Sequence, residues 1–118
     1  MPVGGEPAAR AFYGGLLGLT EVEKSRALAP RGGCWFVVDG VAIHLGPESD
    51  FRAARKAHVA LLVHDLTALR RRLEDAAVPT KDDEVDLGVR RFYAEDPFGN
   101  RLELVDARDA EFTERAGG

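Results

Sequence analysis

At 118 residues, 45% hydrophobic and 31% charged, the chain has the length and make-up of one ordinary globular domain, not of a fibre or a disordered segment. A formal charge of −4 gives no basic surplus for a nucleic-acid partner, and the single cysteine, Cys34, excludes an intrachain disulfide and a cysteine-type zinc site. No apolar run is long enough to span a bilayer and MPVGGEPAAR lacks the basic-then-apolar order of a signal peptide, so a cytoplasmic protein with no membrane partner is expected.

Pro7 to Leu17 predicts a short helix. Proline is tolerated in its first turn, Ala8, Ala11, Phe12 and Leu16 recur at helical spacing, and Gly18 is a stop, although Gly14-Gly15 weakens the segment. Leu19 to Lys24, Cys34 to Val38 and Val41 to Leu45 then read as strands. The last two are joined by Asp39-Gly40, a two-residue hairpin signal.

His58 to Val63 is a further β-rich run. It ends at Asp65, which caps a predicted helix with Leu66, Leu69, Leu73 and Ala76 or Ala77 along one stripe and Pro79 just past its end. Arg70, Arg71 and Arg72 stand in that helix beside Glu74 and Asp75 and read as a solvated face. Thr80 to Val85, Val89 to Glu95 and Arg101 to Val105 follow as strands.

The two halves, about 6–46 and 57–107 of a single domain covering 1–118, therefore repeat a β-α-β-β-β order. The first half has no room for its opening strand, which is missing or reduced to Met1-Pro2-Val3. The expected fold class is α+β, with two such modules.

Before the last strand, Asp96-Pro97 and Gly99-Asn100 supply a preset φ and residues that tolerate positive φ, the chemistry of a tight reversal. Within that strand Leu102 and Leu104 share one face and Arg101, Glu103 and Val105 the other. The same parity sets His44 against Val41, Ile43 and Leu45, and His58 against Val59, Leu61 and Val63. Glu103, His58 and His44 thus all oppose an apolar strand face. Arg91 and Tyr93 share one face of their strand and Phe92 takes the other. Trp35 and Phe36 likewise point opposite ways, and the sequence does not say which set meets a cavity.

With ARAFYGGLLGL at Ala9 to Leu19, KAHVALLVHDL at Lys56 to Leu66 and DPFGNRLELVD at Asp96 to Asp106, the chain resembles the vicinal oxygen chelate superfamily of glyoxalases, extradiol dioxygenases, fosfomycin-modifying enzymes and bleomycin-resistance proteins. The resemblance covers roughly Pro7 to Asp106. It implies paired modules whose strands form a curled mixed sheet around a cavity, helices outside, and a homodimer. Metal-binding members carry ligands on the first and last strands of each module, which here correspond to His58, Glu103 and His44. No residue matches the ligand on the first strand of module one. Two imidazoles and a carboxylate suit Zn, Ni, Co, Mn or Fe and leave positions open for substrate.

The function so implied is a small metal-dependent enzyme acting on a small oxygen-chelating substrate by lyase, isomerase or dioxygenase chemistry, with Glu103 also as the catalytic carboxylate. The alternative is a metal-free dimeric protein of the bleomycin-resistance type that binds a small molecule or antibiotic.

Overall fold

In the computed structural model, which describes residues 1–82 and 90–109, the chain divides into two units, Met1–Ala53 and Ala54–Gly118. In the first, α1 (Glu6–Ala9) has Pro7 in its opening turn and runs directly into a π-helical stretch, Arg10–Leu16. The Gly14-Gly15 pair sits inside that widened stretch, where Leu17 N donates to Phe12 O at 2.9 Å. The segment is helical as expected, but wound wider than the spacing alone suggests.

Three antiparallel strands follow in spatial order: β1 (Thr20–Val22), β2 (Cys34–Val38) and β3 (Val41–Leu45). Asp39 and Gly40, at φ 44° and 80°, make the predicted hairpin turn, in which both central residues need positive φ. One face of this sheet supplies Cys34 and Phe36 to a core shared with Ala9, Phe12, Tyr13 and Leu19. Tyr13 lies edge-on to Phe12 and 5.7 Å from Phe36 between ring centres. Burying each phenylalanine contributes about 2 kcal/mol. Burial also raises the Cys34 thiol above its ordinary pKa.

The opening strand of this unit is reduced to one parallel bridge, Pro2 to Glu48. The Glu48 N–H donates to Met1 O at 2.9 Å, and the Met1 amine donates to Gly46 O at 3.0 Å.

The second unit shows what a complete opening strand does. Here β4 (Val59–Val63) pairs in parallel with β7 (Arg101–Asp106), and the sheet order is β4-β7-β6-β5, with β5 Thr80–Asp82 and β6 Arg91–Glu95. A Pro2–β3–β2–β1 order in the first unit repeats β4–β7–β6–β5 in the second, so each unit is a βαβββ module of an α+β fold. The parts of the expected strands at 83–85 and 89 lie outside the described residues.

Between β4 and β5, α2 (Leu66–Asp75) begins where Asp65 Oδ1 accepts from Ala68 N at 3.0 Å, the expected cap. Its buried stripe is Leu69 and Leu73; Ala76 and Ala77 are exposed beyond it. Arg70 of that helix bonds Glu74 and Asp82 and covers the Phe92 ring at 5.2 Å. Among the described residues, no helix is long and apolar enough to cross a membrane.

Asp106 closes β7 in a buried position, accepting from the backbone N–H of Arg108 at 2.9 Å and from its guanidinium at 2.6 Å. Those bonds hold its carboxyl well below the usual carboxylate range. A depressed carboxylate contributes stability that is full above its unfolded pKa of about 4 and is lost as pH falls below it. Melting temperatures recorded from neutral pH downward should therefore fall below about pH 4, and Asp106→Asn should lower the neutral value and flatten that acid limb. An unchanged acid limb in the variant would remove Asp106 as its cause.

Candidate functional site

The four-stranded sheet of the second unit has two chemically different faces. Its register sets Phe92 opposite Leu104 and Ala94 opposite Leu102, and these four buried residues form the side packed by α2. Parity sends Arg91, Tyr93 and Glu95 of β6 to the other side, with Arg101, Glu103 and Val105 of β7. Glu103 is flanked across the strands by Tyr93 and Ala60, and Tyr93 in turn by Lys81. The choice left open for β6 is thus settled: Arg91 and Tyr93, not Phe92, share the face of Glu103.

Glu103 is 8% exposed, so its carboxylate needs partners. It has two. Nε2 of His58 lies 3.0 Å from Oε1, and Nη1 of Arg91 donates to Oε2 at 3.3 Å. His58 sits just before β4, and its Nδ1 is 3.1 Å from the Lys56 carbonyl oxygen. The imidazole also meets the Tyr93 ring edge-on at 5.8 Å, and Tyr93 carries the Arg101 guanidinium over its face at 4.5 Å.

The asparagine-containing turn holds this arrangement from below. Asp96 Oδ1 accepts from Phe98 N and Asn100 N, each at 2.9 Å, and Oδ2 accepts from the Asn100 amide at 2.8 Å. Asn100 Oδ1 then accepts from Ala54 N at 2.8 Å, and Arg101 N donates to Ala54 O at 2.8 Å. The turn therefore anchors the start of the segment that leads to Lys56 and His58.

Of the three residues expected to act together, the structure brings His58 and Glu103 into direct contact. His44 belongs to the first unit, on the sheet face opposite Cys34 and Phe36, where it stacks on its cross-strand neighbour Trp35 at 4.1 Å with ring planes 8° apart. Among the described residues, no group of three or more His, Cys, Asp or Glu side chains is gathered as a metal site. Sequence reading missed the Arg91–Glu103 pair and the Lys56 carbonyl. The first was signalled by matching strand parity; the second is a backbone group and leaves no mark in side-chain pattern.

A βαβββ unit used twice, with a helix on one sheet face and polar and aromatic groups on the other, defines a class of paired-module α+β proteins. The chain belongs to the glyoxalase/bleomycin resistance protein/dioxygenase superfamily, whose family model matches residues 1–104. A protein from Bacillus anthracis assigned to the glyoxalase family is 42% identical, with 90% of this chain and 87% of that one aligned at a TM-score of 0.85. Lactoylglutathione lyase from Agrobacterium tumefaciens is 21% identical over 86% of this chain and 85% of that one, TM-score 0.65. The fosfomycin resistance protein FosX from Listeria monocytogenes is 17% identical over 85% and 80%, TM-score 0.66. The last two likenesses carry the fold alone. No curated protein matches the chain significantly.

Proposed function

We propose that this chain is a small metal-dependent enzyme that holds a divalent ion (Zn, Ni, Co, Mn or Fe) with His58 and Glu103 and acts on a small oxygen-chelating substrate. The observation that carries this reading is the contact between the two side chains. The Lys56 carbonyl can only accept, so Nδ1 of His58 bears a proton and Nε2 is the ring nitrogen that faces Glu103. Nε2 and Oε1 lie 3.0 Å apart, close enough for one ion to take both as ligands. A carbonyl that fixes the tautomer of an imidazole is also the usual outer support of a ligating histidine. The donor pair, one imidazole and one carboxylate, therefore fits a divalent ion.

When bound, such an ion supplies Lewis-acid polarisation of the substrate's oxygens. Arg91 fixes the far oxygen of Glu103, leaving Oε1 as the one aimed at His58 and at a substrate proton. Tyr93, edge-on to His58, brings its hydroxyl to the same face. Lyase, isomerase or dioxygenase chemistry is the reaction class proposed for it.

Calorimetric titration of the chelator-treated protein with each of the five ions tests the reading. Parent protein is expected to bind at least one of them, and His58→Ala and Glu103→Gln to weaken that binding at least about tenfold. Equal binding by parent and both variants, or none by any, overturns it. His44→Ala, run alongside, shows whether the expected third donor contributes.

The Arg91–Glu103 ion pair favours a second reading, because a carboxylate already neutralised on one oxygen has less to offer a metal. There a proton lies between Nε2 and Oε1, and the protein binds a small molecule or antibiotic without metal. We propose a homodimer under either reading, to be checked by light scattering.

A further inference from the structure

Beside the His58–Glu103 pair, on the same sheet face, lies a cleft of about 240 Å³ whose walls include Arg55, Thr80, Lys81, Tyr93, Glu95 and Arg101. Three cations and one anion line it, on a chain whose overall charge is −4. The acids around it among the described residues have partners, and one of the three cations, Arg55, is taken up by Glu95 within the cleft itself. Glu95 bonds Arg55 at 3.1 Å, Asp82 bonds Arg70, and Glu103 bonds His58 and Arg91. Among the described residues, no carboxylate pairs with Lys81 or with Arg101.

Arg101 is also held in place. Its guanidinium stands over the Tyr93 ring, 4.5 Å from the ring centre, a cation–π contact that keeps the side chain beside the cleft. Lys81 stands on the other side of the same tyrosine, as its cross-strand neighbour on β5. Two cations with no carboxylate partner among the described residues thus bracket one phenol, and that phenol touches the His58 ring.

We propose that this cleft binds the oxyanion of a small molecule, with Arg101 forking onto two oxygens and Lys81 supplying a second positive charge. Naming that molecule as the substrate rests on the reading of His58 and Glu103 as the reacting centre. The anion is then a handle, held at Arg101 and Lys81, that places the rest of the molecule along Tyr93 toward Glu103. Phosphate-type and carboxylate groups share the necessary chemistry, and the test separates them.

Calorimetry at fixed ionic strength, with chelator present, would titrate the full chain with inorganic phosphate and, separately, with oxalate. Saturable binding of one or both is expected, and the tighter one identifies the head group. Arg101→Gln should weaken it about tenfold or more, Lys81→Gln by less, and Arg101→Lys should recover part of the loss. Arg71→Gln, an equal charge change on the exposed side of α2, should leave it unaltered. Thermal melts check that each variant is folded. Absence of saturable binding by either anion, or equal losses for Arg71→Gln and Arg101→Gln, overturns the proposal. Glu103→Gln keeps the two readings apart: it should weaken divalent-ion binding at least about tenfold while phosphate or oxalate still binds as in the parent. An anion site that survives when no divalent ion binds any form of the protein removes the metal and leaves the cleft.

Discussion

Gly33→Ala is expected to lower the melting temperature by roughly 10 °C or more, a loss on the order of 3 kcal/mol. A Cβ at this position would lie 2.3 Å from the Leu45 carbonyl oxygen, a backbone atom that cannot swing aside. The residue also has φ +91°, which side chains other than hydrogen adopt only under strain. Relief requires Gly33 to move away from Leu45, and Leu45 pairs with Cys34 at the end of the β2–β3 ladder. The Gly33 N–H bond to Glu6 Oε2, 3.3 Å, would go with it. Gly18→Ala separates the two causes. Gly18 has φ +76° but open space around the added carbon, so its variant should lose only about 1 kcal/mol. Equal melting temperatures for the two variants would show that the Leu45 clash is absorbed without cost.

Asp96→Ala should cost about 3 kcal/mol, read as the free energy of denaturant unfolding. Asp96 is 4% exposed, and its carboxylate satisfies two backbone N–H groups and the Asn100 amide. Alanine leaves those donors without an acceptor where water has poor access, and an unmet buried donor costs more than a made bond gains. Because Asn100 also accepts from Ala54, the loss should spread along 54–58. Amide hydrogen exchange at Ala54 and Arg101 should accelerate in the variant, since their mutual anchoring depends on the turn. A stability within about 0.5 kcal/mol of the parent would mean the turn is held by its backbone bonds alone. The DPFGN stretch is on this account a structural fastening, and the residue proposed to function, Glu103, stands in the strand that follows it.

That distinction also marks how far the sequence could be read. The Asp39-Gly40 hairpin, the Asp65 cap and the alternation in β7 were legible because each depends on neighbours in the chain, through φ, a local hydrogen bond or parity. That the opening strand is missing or reduced to Met1-Pro2-Val3 was legible by counting back from the first helix, and the Pro2–Glu48 bridge decides between the two for the second. The π-helical winding of Arg10–Leu16 was not, because two glycines weaken a helix without stating how it will widen. In the site, parity predicted that His58 and Glu103 avoid the apolar layer, and their side chains meet. What parity could not supply was register. Only the pairing of Tyr93 with Glu103 decides which side of β6 joins them, and only the fold brings the Lys56 carbonyl to Nδ1 of His58.

Trp35 is the sole tryptophan, and it lies parallel to the His44 ring at 4.1 Å. The emission of an indole responds to what is stacked on it, so the signal of this chain is coupled to one named neighbour. The chain thus carries an intrinsic optical reporter for whatever binds at His44, with no label and no second chromophore of its kind to blur the signal.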